Sequence, residues 1–238
     1  MDWYLGGEHM PFVKYRGANG EWIKLGGGNV RISNGHNWIP PRARIWTGSE
    51  WKNLLEDRHV DTWEATASEG YWGPTKGNLA HTHYNSLVRH DRLCQGNYLP
   101  YHDSFIGRNG KEGGMFWVDI DNMRSALQGS RIEKVEVYMH VLHSGYRSGT
   151  QLTLGTHNTR GWQDRFSQVN YGVASARYYG QDQGQWITVP TWVGDDLRDG
   201  KICGFTTFDN QPDLWHYCYI AGIWDGWKKP KIRITYWK

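Results

Sequence analysis

The sequence predicts an all-β protein, a sandwich or jelly roll of short strands, on three observations. Glycine supplies 30 of the 238 residues and aromatic rings 15%, with 15 Trp and 14 Tyr. Rings and β-branched side chains suit a pleated, half-buried surface, while glycine supplies the positive φ of tight turns. The stretch from Arg131 to Leu142 alternates with period two: Val135, Val137, Met139 and Val141 on one face, Glu136, Tyr138 and His140 on the other. Further strand-like runs recur at the spacing of a sandwich, divided by Gly-rich or Asn/Asp-rich stretches.

In chain order, residues 1–58 read as a small β-hairpin region. Val13–Gly17 with Glu21–Leu25, and Arg44–Gly48 with Glu50–Leu54, each place a short aromatic strand, a Gly-containing turn and a second strand opened by Glu-Trp. Gly26-Gly27-Gly28 and Pro40-Pro41 lie between them. Two hairpins are too small to be stable alone, so the region is expected to dock on the rest of the chain, on sister copies or on a partner. Leu55–Val60 reads as a polar connector. Residues 59–238 read as one β domain, with strands expected at Met115–Ile120, Arg131–Leu142, Gln151–Thr156, Gln185–Val189, Lys201–Thr207, Trp215–Ile223 and Lys231–Tyr236. Two short helices are expected, Asn122–Leu127 before Gly129 and Trp192–Arg198 before Gly200. Gly145–Gly149 reads as a hairpin loop.

Charge and cysteine content narrow the function classes. The net charge of +3 is scattered. Its densest run, Lys228-Lys229-Pro230-Lys231 with Arg233, is too short for a nucleic-acid footprint and suits a blunted strand edge. Cys94, Cys203 and Cys218 are not a disulfide framework; buried free thiols are expected, with a Cys203–Cys218 pair as the alternative. Residues 1–25 hold no apolar run of signal-peptide length, and 18 consecutive apolar residues occur nowhere. Neither nucleic-acid binding nor membrane insertion is expected.

Certain segments resemble a known family. Arg44-Ile45-Trp46-Thr47-Gly48-Ser49-Glu50-Trp51-Lys52 resembles short segments repeated in minor tail proteins of phages infecting actinobacteria and related hosts. Cys94–Tyr98, Met115–Asp119, Leu127–Met139 and Leu197–Phe205 resemble stretches of the jelly-roll domain of those proteins. The resemblance covers most of the chain and carries no catalytic group. It implies a jelly-roll-like β-sandwich on a virion tail, made in the host cytoplasm, contacting other tail proteins, copies of itself in a trimer, and the host surface.

The residues offer few reactive constellations. His81 with His83 and His140 with His143 lack the three or four converging donors a metal needs, so no metal is expected. Asp119 and Asp121, placed on one strand face beside Asn122, suit calcium less well than a helix start capped by Asp121 or Asn122. Asp195, Asp196 and Asp199 have the same dual reading, with capping favoured. No nucleophile elbow, zinc-protease helix or phosphate loop is present, so neither an enzyme nor a cofactor is expected. Asp164, Asp182 and Asp213 are the carboxylates to test first for a glycosidase pair.

Binding is expected in loops where flat rings mix with planar polar groups. Thr159–Arg165 holds Trp162, Gln163 and Asp164; Arg177–Gln183 holds Tyr178, Tyr179 and Asp182; Asp213–Tyr217 holds Trp215 and Tyr217. Such sets suit a host cell-wall glycan and equally a protein interface. The expected function is a structural tail protein, at the tail tip or fibre, that binds tail partners and a host glycan. The alternatives are a carbohydrate-binding module and a glycan-cleaving tail depolymerase.

Overall fold

The computed structural model describes residues 57–73, 79–81, 91–97, 111–211 and 213–238, with seven short strands before residue 57. The chain separates into two compact units, 1–56 and 57–238. In the first, β1 (Trp3–Leu5), β2 (Val13–Arg16) and β3 (Trp22–Leu25) form an antiparallel sheet. β4 (Ile32–Ser33) pairs β5 (Trp38–Ile39), and β6 (Arg44–Trp46) pairs β7 (Trp51–Asn53). Both expected hairpins are therefore present, and in each the second strand begins at the Trp of its Glu-Trp pair.

The second unit is an all-β sandwich of antiparallel strands. Its strands are β8 (Arg58–Glu64), β9 (Ala67–Gly73), β10 (Ala80–His81), β11 (Leu93–Asn97), β12 (Lys111–Trp117), β13 (Arg131–Ser144) and β14 (Thr150–His157). They continue with β15 (Asn170–Tyr178), β16 (Gln183–Val189), β17 (Gly204–Phe208), β18 (Cys218–Ile220) and β19 (Lys231–Trp237). One ladder runs β16–β13–β19–β8, with β18 pairing the far end of β13. The other runs β15–β14–β17–β12–β9–β10. β11 belongs to both: Leu93–Gln95 pair with β18, and Gly96–Asn97 with β12.

Between the ladders lies one apolar core. Val135, Val137, Met139 and Val141 face Phe116, Leu152, Leu154 and Phe205, all fully buried. α1 (Ile120–Leu127) and α2 (Thr191–Asp199) add Met123, Leu127, Val193 and Leu197 to it. α2 lies against β13 where Gly194 has no side chain, since a Cβ there would sit 2.7 Å from Val135 and 2.8 Å from Ile132. Arg124 of α1 donates to the carbonyls of Leu197 and Ile202, satisfying orphan groups at the end of α2.

Several expected boundaries move. The strand expected to reach Ile120 stops at Trp117, because the Asp119 carboxylate accepts from the Asn122 amide at 3.1 Å and starts α1. The cap is thus Asp119 rather than Asp121 or Asn122, and Asp119 and Asp121 share no strand face. The strand expected from Lys201 starts at Gly204, because Lys201 and Ile202 donate their amides to Asp196 and close α2 through the left-handed Gly200. The run expected as strand from Trp215 opens instead with a 3-10 turn at Leu214–His216. Arg58–Val60, read as connector, pairs with Thr235–Trp237. Gly145–Gly149 makes a tight turn, but β13 and β14 belong to different ladders, so it is a crossover and not a hairpin. Gly149 is required there: its φ is +117°, and a Cβ would overlap the Tyr178 carbonyl.

Buried polar groups complete the interior. Cys94, Cys203 and Cys218 are buried free thiols, so the Cys203–Cys218 pair is not formed; the Cys203 thiol instead donates to the Asn158 carbonyl. Burial pushes the Cys218 thiol up to about 12. His157 is fully buried, with Nε2 on the Phe116 carbonyl at 2.9 Å and Nδ1 on the Thr159 hydroxyl. Burial pulls its pKa down to about 4, so it is neutral at pH 7. Glu112 alternates with Gly114 and Phe116 on the core side of β12, and burial pushes it up to about 8. Its Oε2 finds no hydrogen-bond partner among the described residues.

Candidate functional site

Alternation on β14 and β15 decides what reaches the outer face of their ladder. Leu152 and Leu154 point into the core, so Gln151 and Thr153 point out; opposite them Ala174 and Ala176 point in, while Ser175 and Arg177 point out. Part of this outer face is covered by the segment 158–169. Trp117 donates its indole N–H to the Thr159 carbonyl, Tyr71 donates its hydroxyl to the Gln163 carbonyl, and Phe166 packs on Tyr71 and Phe208. The remainder stays open as a groove of about 360 Å³ lined by Gln151, Thr153, Tyr171, Gly172, Ala174, Ser175, Asp209, Gln211 and His216.

The floor of the groove is fixed by a buried amide and a buried carboxylate. Gln95 is fully buried; its Nε2 donates to the Gln151 and His216 carbonyls at 2.8 Å each, and its Oε1 accepts from the Thr153 amide at 2.7 Å. It fills the gap in the β14 ladder before β17 begins to pair at Leu154. Asp209, 4% exposed, accepts from the Thr153 hydroxyl at 2.6 Å and from the Gln211 amide at 2.9 Å. Tyr171, half-exposed, lines the same groove as Asp209, and burial, followed by the charge of Asp209, raises the pKa of its hydroxyl.

Beyond His216, bordering the groove, stands a cluster of rings. Asp213 caps the turn at Leu214–His216 through the His216 amide and also takes His216 Nδ1 at 2.7 Å. Thr150 donates its hydroxyl to the Trp215 carbonyl. The Arg177 guanidinium lies 4.9 Å from the centre of Tyr179 and 5.0 Å from that of Trp215, and Tyr146 lies 6.5 Å beyond Trp215. The uncovered face thus runs from Tyr171, past the polar floor, to a cluster of Tyr179, Arg177, Trp215 and Tyr146.

The residues expected to bind distribute unequally. Tyr179 and Trp215 stand at this ring cluster. Tyr178 does not: it is the core-facing residue after Ala174 and Ala176, and donates its hydroxyl to the Met139 carbonyl. Tyr217 is buried too, packed edge-on against His143 and Tyr219, so neither tyrosine offers a ring to a surface ligand. Trp162, Gln163 and Asp164 belong to the covering segment and line no part of the groove; Trp162 donates its indole N–H to Glu69. Asp182, at φ 55°, turns its carboxylate to His140 Nε2 and to Lys228, and these two, Lys228 first, hold it below the usual carboxylate range. Asp182 and Asp213 therefore meet different partners, Asp182 with His140 and Lys228 and Asp213 with His216.

Tyr171, Thr153, Asp209 and Gln211 were not expected. Asp209 follows a buried strand and reads in sequence as an ordinary turn residue. Tyr171 opens a strand whose small residues hid it. Among the described residues no group of three His, Cys, Asp or Glu side chains is placed to hold a metal ion. His83 and the side chain of His81 lie outside the described residues. No described helix is long and apolar enough to cross a membrane. Compared with protein-family models the chain matches none, and compared with curated proteins it matches none.

Proposed function

We propose that this chain is a component of a phage tail whose sandwich binds a host cell-surface glycan in the groove between Tyr171 and Trp215. The resemblance of the hairpin phrase and of the later segments to minor tail proteins, with their jelly-roll domain, supports the tail assignment. The observation that carries glycan binding is the groove itself. Sugars present C–H faces that stack on flat rings and hydroxyls that pair with planar polar groups, and the groove offers both. Tyr171 lines it and Trp215 borders it beyond His216; its carboxylate and amides are on Asp209, Gln151 and Gln211. Because Asp209 and Gln95 are already locked by their own partners, little side-chain entropy is lost on binding. Display of several copies on one tail raises the avidity of weak single sites.

A glycan array read alongside binding to whole host cells tests this. Trp215→Ala and Tyr171→Ala are each expected to weaken glycan and cell binding about ten-fold or more, with the circular-dichroism spectrum unchanged, because a stacked ring contributes about 1–2 kcal/mol. Cell binding that survives both substitutions overturns the groove as the receptor site.

A further inference from the structure

Bordering the groove, opposite Gln151 in the ladder, stands an arginine whose hydrogen-bonding capacity is unspent. Arg177 points outward from β15, and its guanidinium lies over two rings, Tyr179 at 4.9 Å and Trp215 at 5.0 Å. Its backbone carbonyl accepts from Gln185, but its guanidinium makes no hydrogen bond and no ion pair among the described residues. Four other arginines of the unit are paired with carboxylates. Arg58 meets Glu133, Arg92 meets Asp225, Arg198 meets Asp195 and Asp199, and Arg233 meets Glu136. Arg233 also lies over a ring, Trp186 at 4.0 Å, yet still pairs with Glu136. A ring contact therefore does not by itself keep an arginine from a carboxylate in this fold.

Two acidic groups lie on the same face, and both are occupied elsewhere. Asp209 is bonded to Thr153 and Gln211, and Asp213 to His216. Arg177 is opposite Gln151 in the ladder, and Thr153, which carries Asp209, is two residues further along β14, roughly 7 Å away. A guanidinium already resting on two rings loses less entropy when it binds than a free one, and its planar fork of N–H donors matches the two oxygens of an oxyanion.

We infer that the groove reads an acidic glycan, with a carboxylate or phosphodiester group on one sugar seated on Arg177 and the neighbouring sugar's hydroxyls over Asp209. This inference rests on the groove being the glycan site. The shared chemistry is a sugar-borne oxyanion, which a uronic acid or a phosphodiester-linked wall polymer would each supply. Asp209 works alongside Arg177: it admits hydroxyl donors and repels a second acid group on the adjacent unit, so alternating acidic and neutral units fit better than consecutive acidic ones.

The test is an array holding uronate-containing oligosaccharides, the same oligosaccharides after carboxyl reduction, and oligomers of glycerol phosphate, probed with the full chain and with R177M and R177K. The wild-type chain is expected to prefer one acidic class over its neutral counterparts at least ten-fold. R177M should bring the acidic and neutral signals to within about two-fold of each other, and R177K should keep only part of the preference, since an ammonium lacks the fork. Uronate and phosphodiester hits separate the two sources. Hits confined to neutral glycans, or acidic hits that survive R177M, overturn the inference and leave the groove reading standing. An array with no hits in any class overturns both.

Discussion

Replacing Gln95 by Ala is expected to destabilise the sandwich by about 3–6 kcal/mol, measured by denaturant unfolding. The estimate comes from leaving three buried backbone groups without partners at about 1–2 kcal/mol each, namely the Gln151 and His216 carbonyls and the Thr153 amide. No neighbouring strand can replace the amide, because β17 pairs with β14 only from Leu154 onward. The same substitution reaches the groove proposed to bind glycan, since Gln151, Thr153 and His216 all line it. Glycan affinity should therefore fall together with stability even at temperatures where the variant is folded. A loss below about 1 kcal/mol would mean that water takes over all three bonds, and that Gln95 is not what holds the floor in place.

Glu112→Gln is expected to change how stability depends on pH more than any surface substitution. The folded-state pKa of Glu112 is raised to about 8 from an ordinary 4.5, so the folded protein keeps a proton that the unfolded chain releases. Its contribution is fully present below pH 4.5 and is lost as pH rises toward 8, amounting to about 5 kcal/mol over that window. His157 works in the opposite sense. Its pKa is lowered to about 4 from 6.5, so its contribution is complete above pH 6.5 and is lost as pH falls toward 4, by about 3 kcal/mol. Each group supplies a slope of about 1.4 kcal/mol per pH unit, and the two cancel between roughly pH 4.5 and 6.5. The wild-type protein should accordingly show a flat stretch there and a decline from pH 6.5 to 8. In the Gln variant the decline should vanish, leaving stability that rises up to pH 6.5 and then levels. Parallel pH curves for the two proteins would show that Glu112 ionises normally in the folded state.

What the sequence revealed of the fold follows from how strongly each segment advertises its period. Val135, Val137, Met139 and Val141 are separated by charged or polar residues, and the strand they predict is the central one of its ladder. β9 and β15 were missed because Ala67–Gly73 and Asn170–Tyr178 interleave Gly, Ala and Ser among their larger residues, and these small residues carry little hydrophobic contrast from one face to the other. The buried half of β15 is Ala174, Ala176 and Tyr178, and that pattern is also why Tyr178 was taken for a surface ring. At the site, the exposed Tyr179 and the half-buried Trp215 were legible as rings in polar loops. Asp209 and Gln95 were not, because their roles depend on groups that are far away in sequence: Asp209 meets Thr153, and Gln95 meets residues 151, 153 and 216. No local motif encodes such a meeting. It arises only when β14, β17 and the turn at Leu214–His216 have assembled.

The pairing of β8 with β19 has a mechanical consequence. β8 is the first strand of the sandwich and an outermost strand of its ladder, joined to β19 in register from Arg58–Trp237 to Glu64–Lys231. The backbones of Asp57 and Lys238 close this seam with a reciprocal pair of hydrogen bonds. Tension entering the sandwich at residue 57 and directed along β8 loads these bonds side by side rather than one after another, so they must fail together. The seam is a shear joint, suited to a domain that has to stay folded while one side of it is tethered and the other grips a surface.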